Sequence, residues 1–159
     1  MKFRIGQGFD VHRLQQGLPL ILGGVKIPHS KGIVAHSDGD VLIHAICDAL
    51  LGAANLGDIG IHFPDNSSEF EGINSLILLS KTVELISNKG FQINNIDCTL
   101  CLEKPKIFPY INRMKEEISK ASKIPVEDIS IKATTNEKLG YVGREEGVCA
   151  YAVALLFLK

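Results

Sequence analysis

The stretch Ser37–Ala54, SDGDVLIHAICDALLGAA, decides the fold. Leu42, Ala45, Ile46, Ala49, Leu50 and Ala53 recur at helical spacing, so one stripe of it is made for a core. Ser37 with Asp40 fits a capping box, which sets a helix over about residues 38 to 54. His44 falls nearly opposite the apolar stripe, with Asp40 and Asp48 one turn to either side. Cys47 and Leu51 share that far face, so another part of the chain, or another subunit, is expected to cover it. A covered histidine needs a polar partner. Asp40 and Asp48 read either as groups that orient His44 or as a solvated charged face.

Upstream, residues 2 to 12 read as extended, and Leu18–Pro28 as a second strand pairing with them in an early hairpin, Gly23-Gly24 marking a bulge. Downstream, Ile73, Leu76, Ile77, Val83 and Ile86 set a second helix from about 73 to 89, closed by Gly90. A third helix is expected from Pro109 to Lys120. Extended segments follow at about 91 to 103, 129 to 135 and 147 to 158. The last is apolar almost throughout, which predicts burial on both faces. The order ββααβαββ is neither a steady βαβ alternation nor an all-β pattern. It predicts an α+β fold, a mixed sheet with helices packed on one face, in a single domain over residues 1–159.

The 159 residues, 45% of them apolar, suffice for one sizeable core. Seventeen Lys and Arg against 18 Asp and Glu leave a charge of -1, with no broad field for nucleic acid or anionic lipid. Neither a signal or transit peptide nor a membrane-length apolar run is apparent, so a bacterial-type cytoplasmic protein is expected. Cys98-x-x-Cys101 invites a redox or zinc reading. Its strand-like setting, in which residues three apart face opposite ways, favours packed thiols.

Asp10-Val11-His12 ends the first extended segment, where period-two geometry sends residues 10 and 12 to one side and Val11 to the other. Alone the spacing is weak. With His44 it offers one oxygen and two nitrogens, a set that suits zinc with a fourth position left for substrate. Neither a P-loop nor a G-x-G-x-x-G is present. Phosphate and nucleotide candidates lie instead in Lys104–Pro109, stiffened by two prolines before a helix start, and in Lys132–Gly140. There Thr134 and Thr135 offer hydroxyl groups and Glu137 an oxygen for Mg²⁺. The turn Gly140–Gly147 carries Arg144, which clamps a diphosphate or faces solvent.

These motifs occur in one order: Gly8–His12, Ala35–Asp40 with His44, Gly57–Gly60, Phe63–Asp65, Pro105-Lys106 and Lys132–Thr135. In them the chain resembles, over nearly its whole length, the 2-C-methyl-D-erythritol 2,4-cyclodiphosphate synthases of the non-mevalonate isoprenoid pathway. The resemblance implies zinc on Asp10, His12 and His44, Mg²⁺ or Mn²⁺ at Glu137, and transition-state stabilisation by His36 and Thr135. It implies that Ser37, Asp58, Ile59, Gly60, Phe63 and Asp65 surround the methylerythritol portion, with Asp10, Val11, His12, His36, Pro64, Asn66 and Ser67 as further substrate contacts. Leu102, Glu103, Lys104, Pro105, Lys106, Ile107 and Phe108, with Thr134, Thr135, Asn136 and Glu137, would hold the cytidine nucleotide. Tyr141 and Arg144 complete the implied substrate contacts.

The resemblance further implies a homotrimer with sites between subunits. Such an assembly would cover the far face of the first helix and the doubly apolar last strand. Phe9, Tyr141 and Arg144 match positions lining a central cavity able to take an isoprenoid diphosphate. Asn136 stands where a third threonine is common, Tyr141 where phenylalanine is common, and Asn66-Ser67 where threonine and aspartate are usual. Two other readings remain open from the residues alone: another metal-dependent phosphohydrolase, and a non-catalytic nucleotide-binding trimer.

Overall fold

The computed structural model describes residues 2–158. In chain order the elements are β1 (Phe3–Gln16), β2 (Leu20–Leu22), β3 (Val25–Ile27), β4 (Lys31–Val34), α1 (Val41–Ala53) and the single turn α2 (Ile59–His62). There follow α3 (Ser75–Asn88), β5 (Phe91–Cys101), α4 (Ile111–Ser122), β6 (Ile129–Thr134), the turn α5 (Gly140–Gly143) and β7 (Gly147–Leu158). Five strands form one mixed sheet in the order β4-β1-β7-β5-β6, in which only the β5–β6 pair is parallel. The fold is α+β.

The segment 18–28 does not pair with β1. It makes its own two-stranded hairpin, β2–β3, and β1 runs on to Gln16 to pair instead with β4, a strand the sequence pattern did not reveal. Gly23-Gly24 is the turn of that hairpin rather than a bulge: both residues have positive φ, +59° and +76°, as a two-residue hairpin turn requires.

The helix α1 begins at Val41, not near residue 38 as the Ser37–Asp40 capping box suggested. Asp40 is the cap: its carboxylate accepts from Ile43 N–H at 3.2 Å, and also from Gly23 and Gly24 N–H at 2.9 and 2.6 Å. One buried side chain thus starts the helix and pins the hairpin to it. The helix lies directly on β1 because Gly6 and Gly8 leave room. A Cβ on Gly8 would fall 1.9 Å from Ala45 O, and one on Gly6 2.0 Å from Ala49 O. Facing this stripe, β7 contributes the small Ala150, Ala152 and Ala154, all fully buried.

The far face of α1 is covered within the same chain, by α3. Cys47 and Leu51 are completely buried, as are the α3 residues Ser75 and Thr82. An all-round apolar helix such as α1 needs cover on every side, and the fully buried Leu42, Ile43, Ile46, Leu50 and Leu51 each stabilise by about 2 kcal/mol. No second subunit is needed to explain that face, contrary to the reading from the resemblance. The last strand also differs from expectation. Its inward residues are buried, but Tyr151 and Val153 are 46% and 38% exposed on the outer face. Beside them Phe3, Ile5, Phe9 and Val11 of β1 are exposed too, giving an open apolar sheet surface.

All four cysteines are free and buried. Cys98 packs in the main core while Cys101 packs on the other side with Val142 and Cys149. Burial pushes the Cys98 thiol up to about 12, so it carries no thiolate at neutral pH, and the packed-thiol reading of the Cys-x-x-Cys pair holds.

Candidate metal centre and substrate pocket

Alternation along β1 sends Gly6, Gly8, Asp10 and His12 to the helix side, and the glycine pair draws α1 close enough for His44 to meet the other two. Asp10 Oδ2 lies 3.0 Å from His12 Nε2 and 3.0 Å from His44 Nδ1, and the two nitrogens are 3.2 Å apart. Among the described residues this is the trio of ligand-type side chains that converges closely enough to share an ion.

The triangle is poorly served by hydrogen bonds alone. Each imidazole nitrogen has one lone pair or one proton, directed one way, yet each faces two partners. A tetrahedral zinc with bonds of about 2.0–2.1 Å presents ligand–ligand edges of about 3.3 Å, so the triangle has the size of one face of such a shell. The donor set fits a divalent cation with one position open to a ligand.

The opposite nitrogen of His44 explains how the ring is held. Its Nε2 lies 2.9 Å from Ser75 Oγ and 3.3 Å from Ser37 Oγ. Ser75 Oγ in turn donates to Asp38 Oδ1, and Ser75 N–H donates to Asp38 Oδ2 at 2.8 Å. Asp38 accepts the serine proton, so Ser75 accepts from His44 Nε2–H. That fixes the tautomer with the Nδ1 lone pair turned to the Asp10–His12 side, where a cation needs it. Asp38 and Ser75 were missed as site residues: Ser75 reads in sequence only as a helix start, and its partner lies 37 positions away. Asp40 and Asp48, the partners considered for His44, have other tasks. Asp40 clasps the hairpin, and Asp48 accepts Ile59 N–H at 2.8 Å, anchoring α2.

Electrostatics match this geometry. Burial pushes the Asp10 carboxyl up, but hydrogen bonds and charge from His12 and His44 outweigh it and bring it down to about 2. Burial works against charging His44, and the Asp10 carboxylate more than offsets it, so the imidazole is raised overall.

The triad floors a cavity of about 310 Å³ whose walls include His36, Ser37, Ile59, Gly60, Phe63 and Asp65, with Phe70 and Leu78 behind. His36 Nε2 is 3.3 Å from Ser67 O. Asp58 caps α2 through Ile61 N–H, and Phe63 stacks edge-on against Phe70 at 5.6 Å. Pro64, Asn66 and Ser67 form the following turn, closed by Ser67 N–H on Pro64 O at 3.2 Å. Val11, an implied contact, is turned away from this cavity: it lies on the outer face of the sheet, 42% exposed.

A second hollow, of about 180 Å³, is lined by Leu102, Glu103, Pro105, Lys106, Ile107 and Phe108 from one side and Ala133, Thr134 and Thr135 from the other. Lys104 points to Glu145, and Asn136 N–H to Glu103. Within one chain this hollow does not meet the triad. Asp10 is in register with Ala150, Ala150 with Leu100, and Leu100 with Ala133. Three strand spacings separate the two sites, about 14 Å. Glu137 is therefore not brought to Asp10, His12 and His44 in this chain. Tyr141 lies on the outer side, 39% exposed, and Arg144 is held by Glu146 at 3.1 Å.

Comparison with known proteins agrees along the whole chain. The sequence profile of the YgbB family matches residues 3–157. The 2-C-methyl-D-erythritol 2,4-cyclodiphosphate synthase of Syntrophobacter fumaroxidans is 62% identical over 153 residues, 96% of each chain. Among solved structures, the bifunctional IspDF from Campylobacter jejuni superposes with a TM-score of 0.96 at 40% identity. It covers 99% of this chain, which spans only 43% of that longer one. IspF of Plasmodium falciparum in its CDP complex superposes with a TM-score of 0.87 at 37% identity, over 99% of this chain and 97% of its own. A profile match from residue 3 to residue 157, with near relatives aligned end to end, means that this chain belongs to the YgbB family.

Proposed function

We propose that the protein is a lyase that converts 4-diphosphocytidyl-2-C-methyl-D-erythritol 2-phosphate to 2-C-methyl-D-erythritol 2,4-cyclodiphosphate and CMP. The observation that carries this reading is the three-donor triangle on the floor of a pocket walled by His36, Ser37, Ile59, Gly60, Phe63 and Asp65. The synthase names of the near relatives supply the reaction.

The nucleophile belongs to the substrate. An oxygen of the 2-phosphate forms a bond to the β-phosphorus, the bond from that phosphorus to the bridging oxygen breaks, and CMP leaves with the oxygen. The protein needs no serine or cysteine nucleophile, and its work is to fold the substrate back on itself and to meet developing charge. Asp10, His12 and His44 would hold zinc, which when bound supplies Lewis-acid polarisation and a template for phosphoryl oxygens. Glu137 offers a carboxylate for Mg²⁺ or Mn²⁺, cations that take most of their other ligands from phosphate and water. His36 and Thr135 donate hydrogen bonds to the phosphoryl group as its charge spreads. Asp58, Ile59, Gly60, Phe63 and Asp65 enclose the methylerythritol portion, with Pro64, Asn66 and Ser67 beside them. The Leu102–Phe108 loop and the Thr134–Glu137 segment, which line one hollow, receive the nucleotide; that the Plasmodium relative is a CDP complex supports a nucleotide ligand.

The two halves of this site come from neighbouring subunits of a homotrimer. The separation of about 14 Å between the triad and the nucleotide hollow supports this, and so does the open apolar surface of Phe3, Ile5, Phe9, Tyr151 and Val153, which is costly to leave in water. Phe9, Tyr141 and Arg144 would then line a central cavity suited to an isoprenoid diphosphate.

Mixing inactive variants tests the shared site. His44→Ala and Glu137→Gln, each inactive alone, are unfolded together and refolded as mixed trimers. Activity returns at about a quarter of the sites if the two residues act from different chains of a cyclic oligomer. No recovery, with trimers formed, places both residues in one chain and refutes the reading.

A further inference from the structure

Glu103 stands at the join of the two nucleotide segments. It follows Leu102, whose N–H donates to Thr134 O at 3.0 Å and so ties the end of β5 to the end of β6. The Glu103 side chain then reaches across to the next turn, where its Oε1 accepts from Asn136 N–H at 2.8 Å and from Lys138 N–H at 3.3 Å. Those two groups flank Glu137.

The turn they flank is one the backbone resists. Glu137 and Lys138 both have positive φ, 52° and 64°, and two successive non-glycine residues in the left-handed region crowd their Cβ atoms against the following carbonyls. The turn's own bonds are few. Glu137 N–H reaches Thr135 Oγ1 at 3.4 Å, and Leu139 N–H reaches Asn136 O at 2.9 Å. A single side-chain oxygen that receives N–H groups from both sides of Glu137 supplies the clasp that holds the turn. The nearby Lys104–Glu145 pair, 3.4 Å long with Lys104 exposed, is screened by water and holds the loop only loosely.

We propose that Glu103 is a positioning residue for the reaction. It locks the left-handed Glu137–Lys138 turn against the Lys104–Phe108 loop, so that the nucleotide loop and the Glu137 carboxylate are presented as one rigid unit. The proposal rests on the reading of Glu137 as the second-cation ligand and of the loop as the nucleotide hollow.

The test separates reach from charge in the zinc-loaded full-length protein. Glu103→Gln keeps a carbonyl oxygen at the same distance without charge, Glu103→Asp keeps the charge one methylene short, and Glu103→Ala removes both. The readouts are the Mg²⁺ concentration for half-maximal turnover, the CDP dissociation constant by calorimetry, and zinc content. Glu103→Asp and Glu103→Ala are expected to raise the first two by about tenfold or more with zinc content unchanged, as losses of supporting bonds around a ligand do. Glu103→Gln stays within about threefold of the native protein because its carbonyl accepts both N–H groups. Adding Lys138→Gly to Glu103→Ala recovers part of the loss, since glycine takes a positive φ without strain. Glu103→Gln as damaging as Glu103→Ala overturns the proposal, as does Glu103→Asp indistinguishable from the native protein. Glu137→Gln, run alongside, reports on the other reading. If it proves active with an unchanged Mg²⁺ requirement the second-cation assignment fails, while the CDP constants still decide the role of Glu103.

Discussion

Replacing Ser75 with alanine tests how His44, a proposed zinc ligand, is held. The substitution removes the hydroxyl that lies 2.9 Å from His44 Nε2 and donates to Asp38. It leaves the start of α3 in place, because Ser75 N–H still donates to Asp38 Oδ2 at 2.8 Å. Loss of such a partner typically costs 10- to 100-fold in metal affinity, about 1.4 to 2.8 kcal/mol. Ser37 Oγ, 3.3 Å from the same nitrogen, can take over part of the task, which favours the lower end, about tenfold. Stability falls as well, by about 1–3 kcal/mol, because Asp38 Oδ1 loses a buried donor. The assay is zinc competition against a chelator of known affinity at neutral pH, beside urea denaturation of the metal-free protein. Zinc affinity within twofold of native in a folded Ser75→Ala protein would refute the tautomer argument and leave Ser75 as packing only.

Three further outcomes are expected. Gly8→Ala places a Cβ 1.9 Å from a carbonyl oxygen of α1, and two backbones must part to admit it, so urea denaturation shows a loss of about 3 kcal/mol or more; a loss below about 0.5 kcal/mol contradicts the close strand–helix contact. Burial, with some help from Asp38, raises the Asp40 carboxyl from 3.8 to about 6 against the pull of its N–H donors. The folded chain therefore binds that proton more tightly than the unfolded one. The resulting stabilisation is complete below pH 3.8 and is lost as pH rises through about 6, so the metal-free native protein loses about 3 kcal/mol relative to Asp40→Asn across that window; a difference that does not change with pH argues against it. Val153→Asp puts a charge in the open sheet face, and sedimentation should show trimers replaced by monomers with turnover lost; intact trimers would mean that this face is not the interface.

Much of this protein can be read along the chain because its signals are local. The helical spacing in 38–54, the period-two placement of Asp10 and His12, and the position of His44 opposite the core stripe led to the same three donors that the fold brings within 3.2 Å. What stayed hidden depends on contacts distant in sequence. The hairpin β2–β3 looked like a partner of β1 because pairing is set by the whole sheet, and β4 is only four residues long. The cover over His44 was legible as a need but not as α3, since nothing near Ser75 announces that it meets Asp38. The clasp of Asp40 on Gly23 and Gly24, and that of Glu103 on Asn136 and Lys138, were invisible for a related reason: each carboxylate accepts from backbone N–H groups far away in sequence, which carry no signature of their own.

In the proposed reaction a zinc held by Asp10, His12 and His44 serves a cyclisation in which the substrate supplies its own nucleophile. Phosphorus NMR of the products, with metal content measured on the same sample, tests it most directly. Zinc-loaded protein given 4-diphosphocytidyl-2-C-methyl-D-erythritol 2-phosphate and Mg²⁺ should yield the cyclic diphosphate and CMP in equal amounts, and stripping the zinc should abolish both. An acyclic phosphate product, or turnover undiminished after the zinc is removed, would contradict the account.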